Sequence, residues 1–505
     1  MARNTLTITI LTALLLLAGC IRDNSGLGEL TLPELQVQTP EGDEMQTYNI
    51  DLGSELTITP EVSYANQEDR LEYVWSIGTY VNGIKGTLKE VSRQKVLRHK
   101  FQTGGTYYAH LSVTDGSQGR AVDYLIHVNR PFEEGFVLVS NDENGSGNLA
   151  FIKTMTPEEI AAGKKQVYVE HTLELMNGMP HGRHLQNVVL GTISWPKALT
   201  RVLASLDDRC YFLDPNTFTV ISEIKYTDVF EGFHADRFLL DDYYPFAYDA
   251  ALKRYVHLDM QYMFAFEYQA YKGHTFQDFV KCDYSWGQAT HNKMLFVDYD
   301  NPRVAEYNTY AAYTGTSNFP DTEDLLKGRT ILGVFLGANI NTSSYIVPEY
   351  VMARNGRRIE LYCNTENSYI GPKSFEMQAL VARDEYAIPA QGTRFVSSPL
   401  YKRHFYAIGG RVYVLLTGNT FTLPGIDQPA ITFSDTEEVT FMSVNRNTEE
   451  LYVATYDTAV KRGSFYIFRT ADVRADNTQS AQPTVVHRHV ADRITNILYK
   501  PSINN

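Results

Sequence analysis

Hydrophobic and polar residues alternate along short stretches of this sequence, and helical periodicity is nearly absent. Residues 56–62, Leu-Thr-Ile-Thr-Pro-Glu-Val, have a period of two, which is typical of a half-buried strand. The stretches 71–77, 105–115 and 121–128 continue this pattern, with glycine-rich turns between them. Short strands joined by turns predict a β-sandwich in the first part of the chain.

Strand pairs of another kind follow Arg130-Pro131, where proline ends the last strand of the sandwich. They recur at intervals of roughly 40–60 residues, from the first pair at 136–152 to the last complete pair at 451–468. This repeat predicts a β-propeller of six to eight blades, although no Trp-Asp pair or Asp-box assigns it to a named repeat family. The final strand, 493–499, is predicted to close the ring with the first pair.

One short helix is predicted among the strands. It runs from Pro157 to Gly163, with Thr156 as its N-cap. Proline suits the first helical position because it has no N–H to leave unsatisfied, and the threonine oxygen accepts a hydrogen bond from the first turn. We expect this helix to decorate a loop.

The N-terminus is typical of a bacterial export signal. Arg3 precedes the apolar residues 6–17, a stretch too short to span a bilayer as a permanent helix. Leu17-Ala18-Gly19-Cys20 matches the lipobox of bacterial lipoproteins, in which the cysteine receives diacylglycerol. Several acyl chains on one residue suffice for stable anchoring. We therefore predict that Cys20 is lipidated; an ordinary signal peptide with an incidental cysteine is the alternative.

The predicted sandwich resembles a known family. Tyr73-x-Trp75, Gly105-Thr106-Tyr107 and Val113-Thr114-Asp115 are similar to motifs of the PKD (polycystic kidney disease) type of immunoglobulin-like domain, in which the tryptophan packs between the sheets. Ser76-Ile77-Gly78 departs from the family's Trp-Asp-Phe-Gly-Asp-Gly block, so the domain is PKD-like. A PKD-like sandwich followed by a long β-rich region resembles the PKD-like family lipoproteins of Bacteroidetes. That resemblance implies an outer-membrane nutrient-uptake setting rather than a reaction.

The predicted fold class is all-β: an N-terminal PKD/immunoglobulin-like β-sandwich followed by a β-propeller-like domain. We expect a lipoprotein signal peptide at 1–19, a lipidated tether at 20–40, the sandwich at 41–130 and the propeller at 131–505. Ile21 stands where an aspartate would retain a lipoprotein at the inner membrane. The predicted location is therefore the outer membrane, on its outward face.

The amino-acid composition of the chain argues against some classes of partner and of binding site. The formal net charge of −14 argues against nucleic acid and against adhesion to anionic lipid. Besides Cys20 the chain has Cys210, Cys282 and Cys363, an odd and scattered set that predicts buried free thiols rather than a disulfide framework or a metal site. The 34 Tyr and 25 Phe suit strands and ligand-binding surfaces equally well.

Three segments have some likeness to metal sites. His181-x-x-His184 lies among glycine and proline, so we interpret it as a surface loop rather than as a chelating helix. Asp142-x-Asn144-x-Ser146 has the alternating oxygen donors of a calcium loop but lacks the distal bidentate glutamate, and a hairpin turn explains it equally well. Asp298-x-Asp300-Asn301 is interpreted in the same way. We predict no metal, and no cofactor beyond the acyl anchor.

No catalytic residue is predicted, because neither a Gly-x-Ser-x-Gly elbow nor sialidase-like arginine motifs are present. Two aromatic stretches, 230–246 and 284–286, are candidates for ligand binding, since aromatic faces with polar neighbours hold sugars and peptides. The alternative is that these rings fill gaps between blades. The candidate residues are Phe233, His234, Asp241, Asp242, Tyr243, Tyr244 and Trp286.

Two functional hypotheses result. The first is a non-catalytic surface lipoprotein that binds a glycan or peptide and presents it to an outer-membrane transporter complex, with its partners being that complex, the ligand and the bilayer. The second is a glycosidase-like propeller hydrolase. An enzyme should place two or three carboxylates with an arginine or histidine around one axial pocket, whereas a binder should show an aromatic platform without that set.

Overall fold

The described residues of the first part of the chain form ten strands in the computed structural model. The described residues are 34–38, 45–52, 54–64, 70–81, 83–101, 104–129, 132–178, 184–193, 199–240, 245–268, 276–282, 285–286, 289–290, 293–307, 322–337, 348–364, 375–398, 400, 403–418, 420–445 and 447–503. The chain divides into two compact units, Met1–Asn129 and Arg130–Asn505. No helix among the described residues is long and apolar enough to cross a membrane.

The first unit is a β-sandwich. Its strands are β1 (Gln36–Val37), β2 (Gln46–Asp51), β3 (Glu55–Ile58), β4 (Val62–Ser63), β5 (Glu72–Val81), β6 (Ile84–Lys85), β7 (Lys89–Ser92), β8 (Leu97–Lys100), β9 (Gly105–Thr114) and β10 (Gly119–Asn129). One sheet has the order β2-β10-β9-β5-β6, with β7 also paired to β5, while β1 pairs with β4 and β3 with β8. Strand β2 runs parallel to β10.

Alternating residues of these strands bury one shared core. Tyr73, Trp75 and Ile77 of β5 pack with Leu56 of β3 and Leu97 of β8. Side chains two apart on a strand point to the same face, which is why the period of two places these residues inside. Trp75 is 0% exposed, and its indole N–H donates to the carbonyl of residue 94 at 3.0 Å. The predicted sandwich and its core tryptophan are confirmed.

Among its described residues, the second unit contains the remaining strands, three short helices and a 3₁₀ turn. The strands are β11 (Gly135–Asn141), β12 (Gly147–Lys153), β13 (Tyr168–Val169), β14 (Asn187–Ile193), β15 (Leu199–Ser205), β16 (Arg209–Leu213), β17 (Val220–Lys225), β18 (Arg237–Leu240), β19 (Pro245–Asp249), β20 (Arg254–Asp259), β21 (Phe264–Tyr268), β22 (Asp278–Cys282), β23 (Ser285–Trp286), β24 (Ala289–Thr290), β25 (Lys293–Asp298), β26 (Arg303–Tyr307), β27 (Thr330–Leu336), β28 (Glu349–Asn355), β29 (Arg358–Asn364), β30 (Glu376–Val381), β31 (Val396–Ser398), β32 (Arg403–Ile408), β33 (Arg411–Leu416), β34 (Ile431–Thr432), β35 (Glu437–Asn445), β36 (Glu450–Asp457), β37 (Arg462–Arg469), β38 (Val485–Ala491) and β39 (Arg493–Lys500). The helices are α1 (Pro157–Ala161), α2 (Thr172–Asn177) and α3 (Glu323–Leu326), and the 3₁₀ turn is Tyr226–Asp228.

Seven antiparallel sheets of the described residues form the blades of a β-propeller. From the inner strand outward, blade 1 is β39-β11-β12-β13, blade 2 is β14 to β17 and blade 3 is β18 to β21. Blade 4 is β22-β25-β26, with β23 and β24 forming a separate small hairpin. Blade 5 is β27 to β30, blade 6 is β31 to β34 and blade 7 is β35 to β38. Seven blades fall within the predicted range.

The last strand of the chain closes the ring. Strand β39 pairs antiparallel with β11, from Gly135 opposite Lys500 to Asn141 opposite Arg493. Blade 1 is therefore built from both ends of this unit, which confirms the predicted role of the terminal strand. Without β39, the edge of β11 would be left unpaired.

Each blade buries both of its faces against its two neighbours. In β11, Phe136 and Leu138 pack with residues of blade 7, whereas Val137 and Val139 pack with residues of blade 2. Seven such hydrophobic clusters lie between successive blades, so every central strand is apolar on both sides. This explains why these strands appear in the sequence as continuous hydrophobic runs rather than as clean alternation.

Predicted local features are also present. Helix α1 begins with a capping box, in which the N–H of Glu159 donates to the hydroxyl of Thr156 at 3.2 Å and the N–H of Thr156 donates to the Glu159 carboxylate at 3.1 Å. Asp142 forms the predicted hairpin turn, because its Oδ1 accepts the N–H groups of Asn144 at 2.8 Å and Ser146 at 2.7 Å. Asp298 accepts two turn N–H groups in the same way.

Candidate functional site

A cavity of about 540 Å³ lies where the inner strands of the propeller meet. Its walls include residues from the inner strand of all seven blades, so we call it the axial cavity. One residue from each strand, in order of blade, is Asn496, Asn187, Arg237, Asp278, Val334, Val396 and Phe441. Cavities of this volume accommodate small-molecule ligands.

Three asparagines line one side of the cavity, and we call them the asparagine collar: Asn141, Asn187 and Asn496. Asn141 bonds the backbone of Leu185 twice, donating to its carbonyl at 3.0 Å and accepting its N–H at 2.8 Å. The amide of Asn187 donates to the carbonyl of Phe238 at 2.7 Å and accepts a hydrogen bond from the Asn496 amide. The collar thus connects the inner strands of blades 1, 2 and 3, and its amides are committed to that role.

Bulges interrupt three of the inner strands beside the cavity. Thr495 of β39, Leu332 of β27 and Thr440 of β35 are each the extra residue at a shift in strand register. A bulge bends its strand and redirects the neighbouring side chains. Among the described residues, the hydroxyls of Thr440 and Thr495 are buried without a hydrogen-bond partner.

Three residues of the cavity wall, Arg237, Asp278 and Arg394, carry charged side chains. Together with Tyr299, which contacts Asp278, we call them the charged corner. The hydroxyl of Tyr299, in the turn between β25 and β26, donates to Oδ2 of Asp278 at 3.2 Å. Arg237 begins β18 and Arg394 precedes β31, and both side chains are exposed. The backbone carbonyl of Tyr299 accepts the side-chain amide of Gln391 at 3.2 Å, which joins blade 4 to the segment that carries Arg394.

The segment between β30 and β31 positions Arg394. It crosses the inner strand of blade 5, where the N–H of Thr393 donates to the carbonyl of Leu332 at 2.9 Å. Phe395 stacks on Phe335 of blade 5 with ring centroids 4.6 Å apart. These contacts of Thr393 and Phe395, on either side of Arg394 in sequence, hold Arg394 at the cavity wall.

The two arginines act on one hydroxyl. Burial raises the pKa of Tyr299, and the charge of Asp278 raises it further, while Arg394 and Arg237 oppose that shift through their own charges. Tyr299 therefore stays protonated at neutral pH and remains a hydrogen-bond donor. Within the described part of the chain neither arginine forms an ion pair; the Arg394 guanidinium lies over the ring of Phe441 at 5.6 Å.

His184 and Asp236 complete the ionisable residues of the cavity wall. The N–H of His184 donates to the carbonyl of Gly145 at 2.6 Å, and its backbone is left-handed, with φ of 48°. Oδ2 of Asp236 accepts the N–H of Ala250 at 2.7 Å. His181 lies outside the described residues, and within them no group of three or more His, Cys, Asp or Glu side chains is arranged to hold a metal ion.

The aromatic residues predicted from the sequence lie elsewhere. Phe233 is 0% exposed and packs against Tyr226 and Phe230, so its ring fills space inside the protein, which was the alternative interpretation. His234 is exposed, and its N–H donates to Asp249 at 2.7 Å. Neither residue lines the axial cavity.

The other predicted residues are only partly described. Asp241, Asp242, Tyr243 and Tyr244 lie outside the described residues. Trp286 belongs to strand β23, which pairs with β24, and nothing further is described for its side chain.

Two of the cysteines are described in full, and both are free thiols. Cys210 is buried and Cys363 is half-buried. Burial raises the pKa of both thiols, so neither is a reactive thiolate at neutral pH. The predicted buried free thiol is confirmed at Cys210.

By the criteria set above, the described walls of the axial cavity match the charged set expected of an enzyme rather than the aromatic platform expected of a binder. The cavity holds two carboxylates, Asp236 and Asp278, with two arginines and a histidine. The rings of Phe238, Phe279 and Phe395 are at most 5% exposed, so they pack inside the blades and provide no platform. Chemically, the exposed guanidinium groups offer charged hydrogen-bond donors to a polar ligand.

Sequence reasoning missed the charged corner, although a repeat that marks the blades is present. The third strand begins with arginine in blades 2 to 7, at Arg209, Arg254, Arg303, Arg358, Arg411 and Arg462. In two of these blades the arginine pairs with a glutamate of the fourth strand, Glu223 at 2.7 Å in blade 2 and Glu267 at 2.5 Å in blade 3. These arginines mark the blades, but the inner strand begins between 15 residues (blade 6) and 28 residues (blade 5) before them, so an alignment on the arginines does not bring Arg237 and Asp278 to a common position.

No protein-family model matches the sequence. A search of curated proteins likewise gives no match.

Several solved structures are similar to this chain. A quinoprotein alcohol dehydrogenase-like protein from Bacteroides thetaiotaomicron covers 92% of this chain and 99% of its own, with 14% sequence identity and a TM-score of 0.47. Apo AztD from Citrobacter koseri covers 86% of this chain and 100% of its own, with 11% identity and a TM-score of 0.33. One chain of a nidogen/laminin complex covers 72% of this chain and 97% of its own, with 9% identity and a TM-score of 0.34. Identities of this size concern the fold alone, and nothing about function follows from them.

Proposed function

We propose that this protein is an outer-membrane surface lipoprotein whose propeller binds a small polar ligand, a glycan or a peptide, without catalysis. The observation that carries the proposal is the axial cavity of about 540 Å³, lined by inner strands of all seven blades. Arg237 and Arg394 offer it hydrogen-bond donors that no described ion pair uses. A preformed concave site with a few polar groups is the usual form of a small-ligand site.

The proposed location rests on the sequence. The lipobox that ends at Cys20 supports acylation, and Ile21 supports transfer to the outer membrane. Resemblance of the first unit to PKD-like domains supports a role beside a nutrient-uptake transporter, with the sandwich as a spacer. Metabolic labelling with a fatty-acid probe should mark the wild type, and Cys20→Ala should remove the label and release the protein from the envelope. The predicted anchor would be contradicted if the wild type took up no label and the Cys20→Ala variant stayed in the envelope.

A hydrolase is the second candidate, and the specific observation favouring it is the presence of Asp236 and Asp278 in one cavity. Glycosidases use two carboxylates, one as acid and one as base or nucleophile. Here each aspartate already accepts hydrogen bonds from the protein: Asp236 from a backbone N–H, and Asp278 from a backbone N–H and Tyr299. We favour binding because both oxygens of Asp278 are already held by donors of the protein, so that only Asp236 keeps an oxygen that no described donor contacts.

One experiment separates the two candidates. The chain from residue 21 is applied to glycan and peptide arrays, and each ligand that binds is incubated with the protein and analysed for products. We expect saturable binding with the ligand recovered intact. Turnover that disappears in Asp236→Asn or Asp278→Asn, while binding is kept, would establish the hydrolase instead.

A further inference from the structure

Two arginines, Arg237 and Arg394, line the axial cavity. Arg237 comes from blade 3 and Arg394 from the segment that leads into blade 6, yet both act electrostatically on the hydroxyl of Tyr299 in blade 4. Like charges held close together repel, and the cost is greatest where water is partly excluded. A bound anion would relieve that repulsion.

Arg237 and Arg394 use few of their N–H donors in described contacts within the protein. A guanidinium has five N–H donors. Arg237 uses one of them on the backbone carbonyl of Asp236 at 2.8 Å, and for Arg394 the contact described is with the ring of Phe441. Donors are therefore in surplus on this part of the wall.

The nearby carboxylate of Asp278 does not use that surplus. Its Oδ1 accepts the N–H of Phe279 at 2.9 Å and its Oδ2 accepts the hydroxyl of Tyr299. These two donors hold Asp278 in place, so Tyr299 acts as a positioning residue that leaves both guanidinium groups open to a ligand. The guanidinium of Arg394 lies over the ring of Phe441 at 5.6 Å.

We propose, building on the proposed binding function, that Arg237 and Arg394 together select ligands that carry a carboxylate. The planar guanidinium matches a carboxylate in size and geometry and bonds it through paired N–H groups. A phosphate dianion fits less well, because Asp236 and Asp278 would repel its second charge. Uronic acids and peptide C-termini both supply the carboxylate.

Titration calorimetry on the chain from residue 21 tests the inference with two matched pairs of probes. The first pair is trigalacturonic acid and its methyl ester, and the second is triglycine and triglycinamide; inorganic phosphate is a fifth probe. We expect the free acid of at least one pair to bind at least about tenfold more tightly than its masked form, since hydrogen bonds between charged groups are stronger than those between neutral groups. The pair that shows the difference identifies the source of the carboxylate.

Variants assign the effect to the two arginines. Arg394→Gln and Arg237→Gln should each weaken binding of the acid by about 10- to 100-fold and leave binding of the masked form unchanged. Arg411→Gln, which removes an exposed arginine that does not line the cavity, is the matched control and should bind like the wild type.

Each remaining outcome has a distinct meaning. Equal binding of acid and masked forms, or acid binding that survives both substitutions, overturns carboxylate selection and leaves ligand binding in place. Phosphate binding tighter than either acid overturns the choice of carboxylate. No binding of any probe at millimolar concentration, together with empty arrays, overturns both the selection and the proposed binding function.

Discussion

The asparagine collar and the charged corner line the same cavity, yet they use their polar atoms in opposite ways. In the collar, the side chain of Asn187 forms hydrogen bonds with the carbonyl of Phe238 and the amide of Asn496, and these bonds join neighbouring blades. In the charged corner, Arg237 and Arg394 have exposed guanidinium groups with no ion pair among the described residues. The collar supports the ring, and the corner is free to act on a ligand.

This difference offers a general lesson about polar residues in cavities. Position in a cavity wall does not make a residue functional, because a polar group that already has its partners gains little from a ligand. A charged group with unused donors gains much more. Counting free donors and acceptors therefore separates structural from ligand-binding residues in a wall that contains both.

Opening the ring should remove both regions together, and this is the largest effect that we expect. Ile494 of β39 is 0% exposed and packs between blades 1 and 7. Ile494→Asp buries an unpaired charge there and should lower the free energy of unfolding by more than about 4 kcal/mol. Thermal unfolding followed by circular dichroism measures the change. Ile494→Val is the control and should cost about 1 kcal/mol. An Asp variant that melts like the wild type would show that the closing strand contributes little.

Acid should weaken the fold through two buried histidines, His257 and His404. Burial lowers the pKa of His257 and of His404 from 6.5 to about 3. At pH values between about 3 and 6.5, these histidines bind protons in the unfolded chain but not in the folded chain. The free energy of unfolding therefore falls as the pH falls. From pH 7 to pH 5 each histidine should cost about 2 kcal/mol.

The contribution of His404 is measured by substitution. His404→Gln removes the titration, so the loss of stability between pH 7 and pH 5 should shrink by about 2 kcal/mol. His489→Gln, at an exposed histidine, should leave that loss unchanged. Identical pH slopes in both variants would contradict the assignment.

Breaking the collar should reduce stability without reducing affinity. Asn187→Ala leaves the carbonyl of Phe238 and the amide of Asn496 without partners, which should cost about 1–3 kcal/mol of stability. Binding of the ligand should stay within about twofold of wild type at a temperature where the variant is folded. Arg394→Gln should show the reverse pattern, with weaker binding and unchanged melting. If Asn187→Ala abolished binding in folded protein, the distinction between the two regions would fail.

Loosening Arg394 should produce the smallest effect. Phe441→Leu removes the ring over which the guanidinium lies at 5.6 Å, an interaction worth about 0.5–1 kcal/mol. Affinity for a carboxylate probe should fall about two- to fivefold, measured by calorimetry. Phe433→Leu, at a partly buried ring outside the cavity, is the control. Unchanged affinity in Phe441→Leu would show that the crossing segment alone positions Arg394.

Local pattern predicted much of the fold. The alternation around Trp75 indicated the sandwich core, and the apolar pairs at 136–152 and 451–468 indicated the hairpins of blades 1 and 7. Thr156 and Pro157 indicated the start of α1. These features depend on neighbours in sequence or on burial alone, which a single chain reveals through its periodicity.

The site could not be predicted in the same way. The many aromatic residues around Phe233 predicted a ligand-binding surface, but the ring of Phe233 is buried. Large apolar side chains fill the space between neighbouring blades of a propeller. The polar residues that line the axial cavity are scattered singly along the sequence. Asn141 and Asn496, for example, come from opposite ends of the propeller unit.

By itself the sequence determined that this chain forms strands and where its hairpins lie, because both follow from the local hydrophobic pattern. Only the tertiary structure decided that Arg237, Asp278 and Arg394 share one wall. Ring closure brings the starts of seven distant strands to one axis, and the crossing segment carries Arg394 over blade 5. The hydrophobic pattern of a strand indicates which of its faces is buried. Whether side chains from different blades lie close together depends on packing around the whole ring.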